Sequence, residues 1–147
     1  MISAIFIFSD KGEVLISRIY KPNIKRSCSD LFRIHVVSAT EVRSPVIRVG
    51  ELTFFHIKHD NIYVVAVTTA NPNACLVFEF LGKIAKLGES YFKKFNEEAV
   101  KNNFTLIYEL LDEICDFGYP QNTEAETLKL FITTEGIQSE RALVRSN

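Results

Sequence analysis

Hydrophobic residues change their spacing several times along this chain, and each change marks an element. Residues 2–8, Ile2-Ser3-Ala4-Ile5-Phe6-Ile7-Phe8, are apolar at nearly every position. Such a run predicts a strand buried on both faces and set inside a sheet. Residues 13–20 alternate, with Val14, Ile16 and Arg18 on one face and Leu15, Ser17 and Ile19 on the other. Between them Ser9-Asp10-Lys11-Gly12 predicts a short hairpin, because glycine takes the left-handed conformation at no steric cost. The period then lengthens. Ile24, Cys28, Leu31, Phe32, His35 and Val36 recur at helical spacing and predict an amphipathic helix, with Asn23 as its cap just after Pro22. A polar stretch at 40–45 ends it. Three more strands are expected at 46–49, 52–58 and 62–69, punctuated by Gly50 and His59-Asp60-Asn61. Asp60-Asn61 suits a two-residue hairpin, since both residues tolerate positive φ.

Asn71-Pro72 then predicts the start of a second helix, with Asn71 capping and Pro72 in the first turn. Val77, Phe80, Leu81, Ile84, Leu87 and Tyr91 make its stripe. Ala74, Cys75 and Phe78 widen that stripe, so the first half is expected to be sandwiched. Past Phe92-Lys93-Lys94-Phe95, a third helix is predicted over 97–116. Val100, Phe104, Ile107, Leu111, Ile114 and Cys115 form its buried face, and Gly118 and Pro120 stop it. A short helix is expected at 127–133. This order predicts an α+β fold: a five-stranded antiparallel sheet with helices on both faces, without the regular βαβ alternation of a parallel sheet. From Thr134 the composition turns polar. Residues 1–134 are therefore expected to form one domain and 135–147 to begin a linker.

Composition narrows the function. The 147 residues, 47% hydrophobic and 24% charged, suit one domain with a core that needs no disulfide or metal staple. A net charge of −1 gives no reason to expect nucleic acid. The charge is uneven: residues 1–60 hold nine Lys/Arg against six Asp/Glu, and 61–147 hold eight against twelve. That mild dipole suits docking to a neighbouring protein. Cys28, Cys75 and Cys115 are an odd, widely spaced set among apolar neighbours, which predicts buried thiols in a reducing, cytoplasmic compartment. No run is long enough to span a membrane, and the apolar start lacks the basic flank of a signal peptide.

Candidate chemistry is sparse. His56 and His59 form an H-x-x-H motif, but on a strand a spacing of three points them to opposite faces, so no metal is expected. Cys75 lies near a predicted helix N-terminus, where a thiol pKa can fall, yet Ala74, Leu76, Val77 and Phe78 predict inert packing. Glu109, Asp112, Glu113 and Asp116 fall at helical spacing as one acidic stripe, a solvated face by default and a docking surface as the sharper reading. Gly82 and Gly88 weaken the second helix unless something must approach it closely. No phosphate loop, nucleophile elbow or dinucleotide fingerprint occurs, so neither a catalytic residue nor a cofactor is expected.

A longer signal lies in residues 104–121, FTLIYELLDEICDFGYPQ, which resemble the signature of clathrin-adaptor medium (mu) chains. Asp10-Lys11-Gly12-Glu13-Val14-Leu15-Ile16-Ser17-Arg18 resembles their first hairpin, and Leu128-Lys129-Leu130-Phe131-Ile132-Thr133 also fits. Val42-Arg43-Ser44-Pro45 and Thr53-Phe54-Phe55-His56-Ile57-Lys58 are most similar to the medium chain of the plasma-membrane adaptor complex. The resemblance, over residues 1 to about 138, implies a longin/SNARE-like αβα sandwich and a non-enzymatic trunk subunit. It also implies a heterotetramer with a large beta-type chain, a small sigma-type chain and a second large chain, peripheral at plasma-membrane clathrin-coated pits. The membrane would be reached only through the complex. A following C-terminal domain would read Tyr-x-x-Φ cargo and phosphoinositide, and Arg141-Ala142-Leu143-Val144-Arg145-Ser146-Asn147 departs from the family's linker. Candidate partner-binding residues are Glu109, Asp112, Glu113, Asp116, Tyr119, Pro120 and Gln121. Two other classes stay open: a small adaptor chain or other trafficking longin, and a sensor or enzyme domain with a profilin- or GAF-like sheet that binds a small ligand.

Overall fold

The uniformly apolar run becomes strand β1, Ala4–Ser9, buried at all its positions in the computed structural model. The structure describes residues 2–22, 24–25, 27–37, 44–69, 73–116 and 119–120. After β1 come β2 (Val14–Ile19), helix α1 (Cys28–Phe32) continuing into a π-helical turn (Arg33–Val37), and strands β3 (Val46–Val49), β4 (Leu52–His59) and β5 (Ile62–Thr68). Helices α2 (Ala74–Phe92), α3 (Glu97–Asn102) and α4 (Phe104–Ile114) follow, then a two-residue ladder of β6 (Cys115–Asp116) with β7 (Tyr119–Pro120). The five main strands run antiparallel in the order β2-β1-β5-β4-β3. As expected, β1 lies inside the sheet, between β2 and β5.

Each face of the sheet carries its own core. One face sets Ile5, Ile7, Val64 and Ala66 against the apolar stripes of α2, α3 and α4. The other sets Phe6, Phe8, Phe54, Val65 and Val67 against Ile24, Cys28, Phe32 and Val36. Both predicted tight turns form: Gly12 has φ +95°, and Asp60 has φ +55° between β4 and β5. Arg33 then ties α1 to the first turn, its Nε donating to the Gly12 carbonyl at 2.8 Å.

Five local expectations are corrected. Leu15 is a bulge, because Ile7 pairs with Ile16 while Phe8 pairs with Val14. The skipped residue breaks the alternation, so Leu15 and Ile16 both join the α2 side while Val14 and Ile19 pack on the α1 side. The first helix begins at Cys28 rather than near Ile24, whose N–H closes a turn on the Lys21 carbonyl at 3.1 Å while its side chain still enters the core. Asn23 lies outside the described residues.

The second helix is capped by Asn73, whose side-chain oxygen accepts from the Cys75 and Leu76 N–H groups at 2.9 and 3.4 Å. The expected cap, Asn71, and Pro72 lie outside the described residues. The first turn of α2 is also not sandwiched: Ala74, Cys75 and Leu76 are exposed. Finally, the predicted third helix is two helices. Asn103 donates its side-chain amide to the Ala99 carbonyl at 2.8 Å, taking the acceptor that its own backbone N–H would need to continue the turn. The predicted helix at 127–133 and the boundary at 134 lie outside the described residues.

Candidate partner surface

The break at Asn103 rotates the helical wheel. In α4 the buried stripe is Leu106, Ile107, Leu110, Leu111 and Ile114, and Phe104, expected inside, is 42% exposed at the first position of the new helix. Glu109, Asp112 and Glu113 share the other side of α4, with Glu109 half-buried and the other two exposed. Asp116, expected on the same stripe, is off the helix. It pairs with Tyr119, and Cys115 with Pro120, in the β6–β7 ladder. The helix ends at Ile114 because Cys115 takes extended backbone, before Gly118 and Pro120 are reached. Gly118 and Gln121 lie outside the described residues. Glu109, Asp112 and Glu113 thus lie on one flank of α4, which runs on into the β6–β7 ladder.

That flank is not a uniform anionic surface. Asp112 binds Arg18 of β2 at 2.6 Å. One turn earlier, Tyr108 lies over the backbone of Ser17, its hydroxyl accepting from the N–H at 3.2 Å and donating to the carbonyl at 3.3 Å. Further along, Tyr20 is held well above the ordinary phenol range, first by burial and then by the neighbouring Cys115 thiol. Tyr108 and Asp112 therefore dock α4 on β2 by two different chemistries, a hydroxyl on the backbone and an ion pair. Tyr108 and Arg18 were missed as site residues. The only signal was Tyr108 standing one helical turn before Asp112.

The other candidates disperse. His56 packs edge-on to Phe32, ring centroids 5.3 Å apart, on the α1 face. His59 reaches Glu89 of α2 at 2.9 Å on the opposite face, as strand spacing predicted. Burial lowers the His56 pKa. Among the described residues no three His, Cys, Asp or Glu side chains stand together as metal ligands. The cysteine expectation is corrected in one place: Cys28 and Cys115 are buried, whereas Cys75 is exposed on the first turn of α2. Burial pushes the Cys28 thiol up to about 11. Cys28 borders a cavity of about 390 Å³ with Ile24, Leu31, Leu52, Lys25 and Glu51. No helix among the described residues is long and apolar enough to cross a membrane.

Comparison with known proteins adds the family. The family model described as clathrin adaptor complex small chain matches residues 1–135. The AP-2 complex subunit mu of Caenorhabditis elegans is 54% identical over 145 residues, 98% of this chain and 33% of that protein. The AP-2 complex subunit mu of Dictyostelium discoideum is 52% identical over 133 residues, 90% of this chain and 30% of that protein. The chain thus spans about a third of the length of the curated relatives it matches. A chain of the structure described as "Homology model of the full-length AP-3 complex in a stretched open conformation" superposes with a TM-score of 0.71, covering 99% of each chain at 13% identity. At that identity the likeness speaks to the fold, and it agrees with the five-stranded sheet between helices.

Proposed function

This chain belongs to the clathrin adaptor complex small chain family and matches the N-terminal longin-like domain of a medium (mu) chain; from that premise we propose that it is a non-enzymatic trunk subunit of an endocytic adaptor complex. The observation that carries the reading is the 54% identity to a mu subunit across 98% of this chain. In this role the domain docks on a large beta-type chain, in an assembly with a small sigma-type chain and a second large chain. Residues from 135 onward lead to a domain that reads cargo at plasma-membrane coated pits. The docking contacts are assigned to Glu109, Asp112, Glu113, Asp116, Tyr119, Pro120 and Gln121. Carboxylates on the last turns of a helix oppose its dipole, a small local cost that a basic partner surface relieves.

Co-expression with the N-terminal trunk of a plasma-membrane adaptor beta chain, beside that of a Golgi beta chain, tests this. Preferential capture by the plasma-membrane trunk is expected, and Glu113→Lys should weaken it. Equal capture by both trunks would remove the endocytic assignment, and capture by neither would remove the docking role.

A further inference from the structure

The two edges of the five-stranded sheet are finished differently. At the β2 edge a side chain stands where another strand would add: the Tyr108 hydroxyl occupies both the N–H and the carbonyl of Ser17. Along an antiparallel ladder, residues alternate between those whose backbone groups face the neighbouring strand and those whose groups face away. On β3 the inward set is fixed by the Pro45 carbonyl, which accepts from the His56 N–H at 3.0 Å, and by the register of Ile47 with Phe54 and Val49 with Leu52. Val46 and Arg48 therefore turn their backbone groups outward. The Ser44 hydroxyl accepts from the Val46 N–H at 3.2 Å. Among the described residues, the Val46 carbonyl and both backbone groups of Arg48 have no partner.

The side chains of β3 fit a neighbouring strand as well. Val46, Ile47 and Val49 are branched and half-buried, so each still has apolar surface to cover. Val46 packs toward the α2 side, beside Phe55, whose ring meets Phe78 with centroids 5.6 Å apart. Ile47 and Val49 pack toward the α1 side. Arg48 differs from the other described arginines. Arg18 and Arg33 hold carboxylates at 2.6 and 2.7 Å, whereas Arg48 reaches only the Gly50 carbonyl at 3.4 Å.

We propose that β3 is a docking edge that takes an extended segment of a partner protein as a sixth strand, with an Asp or Glu of that segment pairing with Arg48. Backbone hydrogen bonds to Arg48 and Val46 supply affinity, while the branched side chains and the guanidinium select the segment. The shortness of β3 and its single cation keep the edge from indiscriminate pairing.

The test uses this chain, isotopically labelled, and a short synthetic peptide alternating valine and threonine around one central aspartate. Titration should shift the amides of β3 and slow hydrogen exchange at the Arg48 N–H, leaving Ser17 unmoved. Arg48→Pro removes the outward donor without touching a β3–β4 hydrogen bond and should weaken binding about tenfold or more. Arg48→Glu keeps that donor and reverses the charge, so it decides the matter if the proline variant does not fold. It should lose the aspartate peptide and gain its lysine counterpart. Shifts centred on β2, no binding at millimolar peptide, or indifference to Arg48→Glu would each overturn the proposal. So would a concentration-dependent dimer of this chain that Arg48→Pro abolishes, which would give the edge to a second copy instead.

Discussion

The side of the sheet that faces α2, α3 and α4 is covered by three helices through many aliphatic contacts, among them Ile5, Ile7, Val64, Leu81, Ile84, Leu111 and Ile114. Among the described residues the other side has one short helix with its π-helical continuation, and its aromatic contacts converge on a single ring. Phe32 of α1 meets Phe8 at 4.7 Å, His56 at 5.3 Å, Tyr63 at 5.8 Å and Phe54 at 6.1 Å between centroids. Aromatic rings bring large area and edge-to-face complementarity from few residues, so Phe32 can centre the cover of this face, with Ile24 and Val36 completing it. Dispersed packing tolerates the loss of one member better than convergent packing does.

Phe32→Ala is accordingly the largest expected effect, a loss of ~3–5 kcal/mol in unfolding free energy measured by urea denaturation. The damage should be lopsided. Amides of α1 should exchange with solvent faster, while those of α2 keep their protection. A loss spread evenly over both faces would mean that Phe32 is one contact among many and not the centre of its layer.

The α2 side is dispersed but tightly fitted, and its two glycines make that measurable. A Cβ on Gly88 would stand 2.4 Å from Cγ of Phe95, whereas one on Gly82 would have nothing within 4 Å. Gly88→Ala should therefore destabilise by ~1–3 kcal/mol through overpacking. Gly82→Ala should stabilise by ~0.5–1 kcal/mol, as alanine does in a helix interior. The sign difference within one helix is the readout, by thermal or urea unfolding. Equal signs would show that Phe95 can yield, and that this layer is looser than its contacts imply.

Much of this architecture was legible because it is local. Branched apolar runs, Gly12 and Asp60-Asn61 specify strands and turns within a few residues of themselves. The failures share a cause, which is that a side chain replaced a backbone partner or a distant residue decided the outcome. Asn103 looks like any polar position on a helix surface until its amide takes the Ala99 carbonyl. Leu15 looks like one step of an alternation until the register with β1 skips it. Of the candidate surface, Glu109, Asp112 and Glu113 were readable from helical spacing, and Asp116 was not, because the helix ends at Ile114. Their engagement with β2 was not, because Tyr108 and Ser17 stand 91 residues apart. The open edge at β3 was equally invisible, since it depends on which strands are neighbours.

The smallest expected effect concerns His56, the polar member of the aromatic layer. Its Nδ1 has no protein partner among the described residues, and its ring stands beside those of Phe32 and Tyr63, 5.3 and 6.0 Å between centroids, with Lys58 Nζ 5.5 Å from the Tyr63 ring. Burial lowers the pKa of the folded ring, so as pH falls the unfolded chain takes up its proton first, at about 6.5. The stability contributed by the neutral buried ring is complete above that pH. Below it, stability falls by up to about 1.4 kcal/mol per pH unit, until the folded ring also titrates. The helix-covered side has no buried histidine among the described residues, so this loss belongs to the α1 side. His56→Phe keeps a ring in the layer and removes the titration. Urea unfolding between pH 7.5 and 5.5 should then show a shallower fall than in the unsubstituted chain. Parallel slopes in the two proteins would mean that acid loosens this face through a group other than His56.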